Sequence, residues 1–376
     1  MDHNLNRFIG PGTIAVRSPG RINLIGEHTD YNNGFVLPAA IDKAIYMIAE
    51  KRAGSKISLH SIDFNESLEA DLATIRARPG HWSTYILGVV DQLQKRGVEL
   101  TGFSLAIHGD VPLGAGLSSS AAVECGTAFA LNELFGLGIE RKELAKIAQS
   151  AEHAFAGVQC GIMDQFASLM GKKDQVMRLD CRSLEFDYFP LELPGYSIVL
   201  FDSQVKHALA STAYNERRNE CEEGVRLLQQ EFTTVESLRD ADTSMIGQVL
   251  AGNNIIYKRC KYVVEENNRV INGCNDLLSG GVRAFGKKMF ASHKGLSELY
   301  EVSCHELDML VNAAASMQEV IGSRMMGGGF GGCTINIISE EMVDRVIEKI
   351  SGQYKNTIGK ELKTYFVRIE NGTSLV

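Results

Sequence analysis

Along residues 13–62, apolar and polar positions group into short β-compatible runs separated by polar turns. The runs at 13–17, 44–49 and 56–61 predict strands, two of them carrying β-branched side chains. Between the first two, residues 18–34 (SPGRINLIGEHTDYNNG) are crowded with turn formers and charges, and predict a long loop. The period then changes. Residues 82–93, opened by Trp82, follow a helical pattern, and 103–107 alternate like a strand that feeds into the Gly/Ser stretch 112–122 (PLGAGLSSSAA). Helices are predicted at 119–135 and 140–156. In the second, Leu144, Ile147, Ala148, Ala151 and Phe155 recur at helical spacing. A loop at 157–165 leads into a further short helix, followed by strands at 175–179, 185–189 and 197–201. A domain boundary is placed near Pro194. The second half is mainly helical from Tyr214 to about 317. It ends in the glycine run 327–332, a strand at 334–338, a helix at 340–353 and a strand near 363–369.

A length of 376 residues predicts about two domains, each long enough to bury a core. A composition of 44% hydrophobic and 22% charged residues is that of a globular chain. The net charge of −8, with no Lys/Arg run, argues against a nucleic-acid partner. Eight widely spaced cysteines without a Cys-x-x-Cys pair fit reduced, buried thiols in a cytoplasmic protein rather than a disulfide frame or zinc site. No signal-peptide core and no bilayer-spanning apolar run are visible, so no membrane association is expected.

The chemistry is concentrated in a few stretches. Gly114 and Gly116 allow a sharp turn, and three serines then open a helix whose free N–H groups form an anion site. An ordinary Ser-capped helix after a glycine turn fits the same pattern. The loop has no lysine, so a phosphate there would rely on main-chain amides, the helix start and Mg²⁺ held by a serine hydroxyl and a carboxylate. The stretch 281–288 (GVRAFGKK) is rejected as a P-loop because it ends in Lys and follows no clear strand. The run 327–332 (GGGFGG) matches a dinucleotide signature in letters only, since a helical pattern precedes it and a strand follows. It serves either as a connector or as a place of close main-chain approach. Arg21, Glu27, His28 and Asp30 form either a solvated polar turn or a grip on a hydroxyl-rich ligand, with metal binding through the His-x-Asp spacing ranked last because no third His or Cys is near in sequence. Taken singly, Asp164 also fits an N-cap, Glu152 an exposed helical glutamate and His153 a structural histidine.

Together these segments resemble the GHMP kinase superfamily and, within it, the galactokinases. The resemblance rests on residues 20–41 (GRINLIGEHTDYNNGFVLPAAI), 112–122 and 326–333 (MGGGFGGC), with 161–165 (GIMDQ) and 205–218 (VKHALASTAYNERR) also typical. It implies an α+β, two-domain fold. Residues 1–194 would form an ATP- and sugar-binding domain like ribosomal protein S5 domain 2. Residues 195–376 would form a ferredoxin-like domain, with the active site in the cleft between the two. The implied reaction moves the γ-phosphoryl group of MgATP to the anomeric hydroxyl of α-D-galactose. Asp164 matches the catalytic aspartate and Arg21 its partner, a guanidinium that should hold it ionised. Glu27, His28, Asp30, Gly161 and Tyr214 match sugar contacts. The loop Gly114, Ala115, Gly116, Leu117, Ser118, Ser119 and Ser120 matches the nucleotide phosphate site, and Trp82, with Tyr85, falls where adenine stacks. Ser120 and Glu152 match the Mg²⁺ ligands. The family also implies a monomer. A kinase for N-acetylgalactosamine or L-arabinose stays open as an alternative, as does a non-catalytic galactose and ATP sensor. The complete run Ser118 to Ala122 and the presence of Asp164 count against the sensor.

Overall fold

The computed structural model describes residues 5–205 and 210–376. From the N-terminus the chain forms β1 (Ile14–Asn23), β2 (Phe35–Val36), β3 (Pro38–Lys51), β4 (Lys56–Ser61), β5 (Glu66–Asp71), α1 (Ser83–Lys95), β6 (Phe103–Gly109), α2 (Ser119–Phe135), α3 (Arg141–Ala151) and α4 (Met163–Met170). Next come β7 (Gln175–Asp180), β8 (Phe186–Pro190), β9 (Tyr196–Asp202), α5 (Ala210–Leu228), α6 (Thr243–Leu250), α7 (Asn254–Leu278), α8 (Val282–Glu298) and α9 (His305–Ala315). The chain ends with β10 (Val320–Met325), β11 (Cys333–Ser339), α10 (Val343–Ile358), β12 (Lys363–Val367) and β13 (Ser374–Leu375).

Two of these elements correct the reading of the sequence. β1 does not stop at residue 17 but runs through Ser18, Pro19 and Gly20 to Asn23. Residues 18–23 are all buried, so no polar alternation marks them, and the ladder with β3 slips between Pro19 and Arg21. Such a bulge tolerates a proline in a strand and re-aims the next side chain, here Arg21. Arg21 therefore stands on a strand rather than in the expected loop. The second correction is β10, where a helical pattern was expected ahead of the glycine run. All six of its residues are buried, which erases the period-2 signal. The glycine run thus joins two antiparallel strands, β10 and β11, and a Rossmann turn stays excluded for this different reason.

The largest sheet has the order β13-β1-β3-β6-β4-β5. Successive residues of β3 alternate across it. Ile45, Met47 and Ala49 enter the main core, while Tyr46 and Ile48 pack with Leu5 and Ala106 on the opposite face. α2 lies on this sheet against β1 and β3, with α1, α3 and α4 around it. Its residues from Ala121 to Leu134 are buried except Glu133, as suits a helix apolar on every side, and it ends on Gly136 in the left-handed conformation. A four-stranded antiparallel sheet has the order β10-β11-β9-β12. Counted along the chain this is 2-3-1-4, the ferredoxin-like arrangement, with α5 to α9 inserted between its first two strands. A third sheet, β2-β7-β8, packs on β3 through β7 and on α7 through β2 and β8. β13 returns to pair with β1, and Ile369 bridges Ile41, so the C-terminal tail extends the first sheet. One apolar cluster includes Val16, Met47 and Leu131 together with Phe285, Met289, Ile321 and Ile335, fastening the two halves against each other.

Candidate active site

Arg21, Glu27, His28, Asp30, Glu152, Gly161, Asp164 and Tyr214 line one cavity of about 320 Å³, closed on one side by Gly327, Gly328 and Gly329. Residues from five separate stretches thus converge on one cavity. Arg21 lies at the centre. Its Nε donates to Asp164 Oδ1 at 2.6 Å and its Nη2 to Oδ2 at 2.8 Å, a two-pronged pair. Its Nη1 donates to the Gly116 carbonyl at 2.5 Å, and its main-chain N–H to the Leu117 carbonyl at 3.1 Å. Burial alone would lower the guanidinium pKa, but Asp164, Glu27 and Asp30 outweigh it and raise the value, so Arg21 stays charged.

The loop at 112–118 is anchored by Ala115 and Leu117, whose side chains are buried, so these two residues offer a ligand only their main chain. Gly116, at φ 76°, makes the turn between them. The serine cap does not form. Ser118 is left-handed at φ 57°, caps no N–H of α2, and donates its hydroxyl to Asp164 Oδ2 instead. The first turn of α2 keeps its N–H groups free of a side-chain cap, as an anion site requires. Asp164 is likewise no N-cap, since Ile162 holds that position and Asp164 lies inside the first turn of α4.

Glu152 begins a π-helical turn, Glu152–Ala156, that interrupts the helix after α3. Such turns gather at functional sites. Its Oε1 accepts from Ser120 Oγ at 3.1 Å, and its Oε2 from Gln165 Nε2 at 2.9 Å and Cys160 Sγ at 3.3 Å. Burial, with the charge of Asp164 second, raises its pKa. An oxygen-only donor set whose carboxylate is disfavoured by burial suits a hard cation. Among the described residues no group of three His, Cys, Asp or Glu is placed to hold a metal ion.

Glu27 is buried and pairs with Arg324 at 2.5 Å, its Oε1 also accepting from Gly327 N at 2.8 Å. Burial pushes His28 down to about 3, opposed by a main-chain bond to Gly328 and reinforced by the charges of Arg217 and Arg324, so the ring is neutral. Burial, then the charge of Asp164, raises Asp30 to about 7. Gly161 is needed for space, because a Cβ there would sit 1.9 Å from Asp30 Oδ2. Tyr214 packs on His28 with ring centroids 5.3 Å apart. Residues 206–209 of the 205–218 stretch lie outside the described residues.

Trp82 immediately precedes α1, and its indole N–H donates to Glu66 Oε2 at 2.9 Å. With Tyr85, Ile107, Val111 and Leu113 it lines a second, mainly apolar cavity that also reaches Ser119 and Ser120 at the loop. His153 has a structural partner, the Cys160 carbonyl at 2.8 Å from its Nε2. Residues of the site without a role in the reading of the sequence include Arg324 behind Glu27, Tyr31 beside His28, and Cys160 and Gln165 beside Glu152. Tyr31 and Gln165 lie inside the quoted stretches, but Arg324 carries no local signal.

Known sequence patterns match most of these elements. Residues 6–51 match the galactokinase galactose-binding signature, 84–172 the GHMP kinases N terminal domain and 275–356 the GHMP kinases C terminal domain. The chain is 40% identical over 363 residues to the galactokinase of Thermotoga neapolitana, covering 96% of this chain and 100% of that one. It is also 40% identical over 365 residues to the galactokinase of Clostridium acetobutylicum, covering 96% and 94%. The crystal structure of Lactococcus lactis galactokinase complexed with galactose superposes with a TM-score of 0.94 at 34% identity, covering 99% of this chain and 97% of that one. A mevalonate kinase structure, at 20% identity and a TM-score of 0.66, shares the fold over 95% and 99% of the two chains.

Proposed function

The chain belongs to the galactokinase family of the GHMP kinases, and from that premise we propose that it moves the γ-phosphoryl group of ATP to the anomeric hydroxyl of α-D-galactose, giving α-D-galactose 1-phosphate and ADP. The observation that carries this reading is the Arg21–Asp164 pair, at the junction of the sugar cavity and the Gly/Ser loop.

Asp164 accepts the proton of the anomeric hydroxyl and aims its oxygen at phosphorus. Arg21 keeps that carboxylate in place and adds positive charge beside the transferring group. Positioning and electrostatics of this kind supply most of the catalysis in phosphoryl transfer. The free amides of the loop and of the α2 start hold the phosphates. Glu27, His28, Asp30, Gly161 and Tyr214 hold the sugar, and Trp82 walls the base pocket. Ser120 and Glu152 would hold Mg²⁺, which when bound neutralises phosphate charge. The proposed division is 1–194 and 195–376, with the tail around β13 returning to the first part. Eight unpaired cysteines support a cytoplasmic setting, and among the described residues no helix is long and apolar enough to cross a membrane. A monomer is the expected form.

A coupled ADP-release assay with MgATP and galactose, N-acetylgalactosamine, 2-deoxygalactose, glucose and L-arabinose tests the substrate. Turnover with galactose and little with glucose supports the reading. Turnover with only another sugar would move the substrate. Ligand binding without any turnover would favour a sensor.

A further inference from the structure

Behind the sugar cavity runs a chain of hydrogen-bonding groups that phosphoryl transfer does not use. His28 is left-handed at φ 62° and buried, its ring packed on Tyr300 at 4.9 Å between centroids. Its Nδ1 lies 2.8 Å from the Tyr31 hydroxyl, which lies 2.7 Å from the Tyr300 hydroxyl, which lies 3.2 Å from the Cys221 thiol. Tyr300 and Cys221 are fully buried. At the other edge of the ring, Nε2 is buried and makes no hydrogen bond of normal geometry, although the Gly328 main chain also acts on the ring and both residues line the cavity.

We propose that Tyr31, Tyr300 and Cys221 are positioning residues that hold His28 as its Nε2–H tautomer, so that it offers one donor to a hydroxyl oxygen of the sugar. This rests on the reading of the cavity as a galactose site. The direction follows from donor and acceptor strengths. An imidazole nitrogen is the best acceptor in the chain and a phenol the better donor, so the Tyr31 O–H donates to Nδ1. The Tyr31 oxygen then accepts from the Tyr300 O–H, and the Tyr300 oxygen is left for the weak S–H donor of Cys221. Every oxygen donates once and accepts once. Because burial keeps the ring neutral, it carries a single N–H, and the bond at Nδ1 decides which nitrogen bears it. A buried donor left unpaired is costly, so a sugar lacking the matching hydroxyl forfeits affinity sharply.

Nitrogen-15 NMR of the His28 ring, assigned with His28→Gln, and calorimetric titration of galactose test this in the full chain. The expected wild-type spectrum has a pyrrole-like Nε2 and a pyridine-like Nδ1. Tyr31→Phe should blur that assignment and raise the galactose Kd roughly ten- to a hundred-fold, leaving ATP affinity unchanged. Tyr300→Phe, farther from the cavity, should move both readouts the same way by roughly three- to tenfold in Kd, which keeps the test intact if Tyr31→Phe does not fold. Cys221→Ser, which retains a donor, should stay within about twofold of wild type. A pyrrole-like Nδ1 in the wild type would overturn the proposal, and so would unchanged galactose binding in both tyrosine variants. If the wild type binds no galactose, the substrate reading fails, while the tautomer is still decided by the spectrum.

Discussion

Arg21 and Asp164 form a two-pronged ion pair, and the same guanidinium reaches the Gly116 carbonyl of the Gly/Ser loop. One side chain therefore ties the Asp164 carboxylate in the cavity to the main chain of the Gly/Ser loop. Neither can drift without the other, which is the preorganisation that in-line transfer needs.

Asp164→Ala should lower kcat by about a thousandfold or more while ATP affinity stays within a few-fold, measured by steady-state kinetics and calorimetry. Arg21→Lys keeps a charge but loses the fork, and should also lose most turnover. An Asp164→Ala enzyme with more than about a tenth of wild-type turnover would remove Asp164 from the chemistry.

Gly161→Ala should damage sugar binding selectively. Its Cβ would overlap Asp30 Oδ2, Cγ and Cβ, so the whole Asp30 side chain must be displaced. The expected result is a rise in galactose KM of at least about tenfold with the ATP KM little changed. Equal effects on both substrates would mean that the site had collapsed more generally.

Asp30 also predicts a pH dependence of stability. Its folded pKa is raised to about 7 by burial and by Asp164, with Glu27 adding and Arg21 opposing. Between about pH 4 and 7 the folded chain holds a proton that the unfolded chain has released, so this group's contribution to stability falls as pH rises through that window. Above it, both states are ionised and the penalty is constant. The Tm of Asp30→Asn minus that of the wild type should grow from about pH 4 to 7 and then level off. A difference flat across this range would contradict the assignment.

Breaking the buried pair of Arg324 with Glu27 should be costly, because one charge is left without a partner. Arg324→Met should destabilise the chain by about 3–5 kcal/mol in chemical denaturation. The double variant Arg324→Met/Glu27→Gln should recover part of that loss without recovering galactose binding. No recovery would mean that Arg324 acts mainly through the Asn23 and Leu24 carbonyls it also bonds.

Trp82 is the sole tryptophan, so intrinsic emission reports on one wall of the cavity proposed for the base. Saturating ATP should change that emission and galactose alone should leave it nearly unchanged. Unchanged emission at a nucleotide concentration known to saturate would move adenine elsewhere.

The residues that converge at the site are legible in the sequence because each lies in a short stretch with its own character. Ser118 shows the limit of such reading. Its position predicts a cap, but its left-handed backbone sends the hydroxyl to Asp164, a partner 46 residues away. β10 and the second half of β1 are hidden because burial on both faces removes the alternation that identifies a strand. Arg324 and Tyr300 are hidden for another reason. Their partners Glu27 and Tyr31 lie 297 and 269 residues earlier, and only the folded chain brings them together.

Phosphorus-31 NMR of the product formed from galactose and MgATP tests the central claim most directly. The account predicts one new phosphate monoester resonance, coupled to the anomeric proton of α-D-galactose and growing in step with ADP. A phosphate on any other carbon, or ADP released without a sugar phosphate, would contradict it.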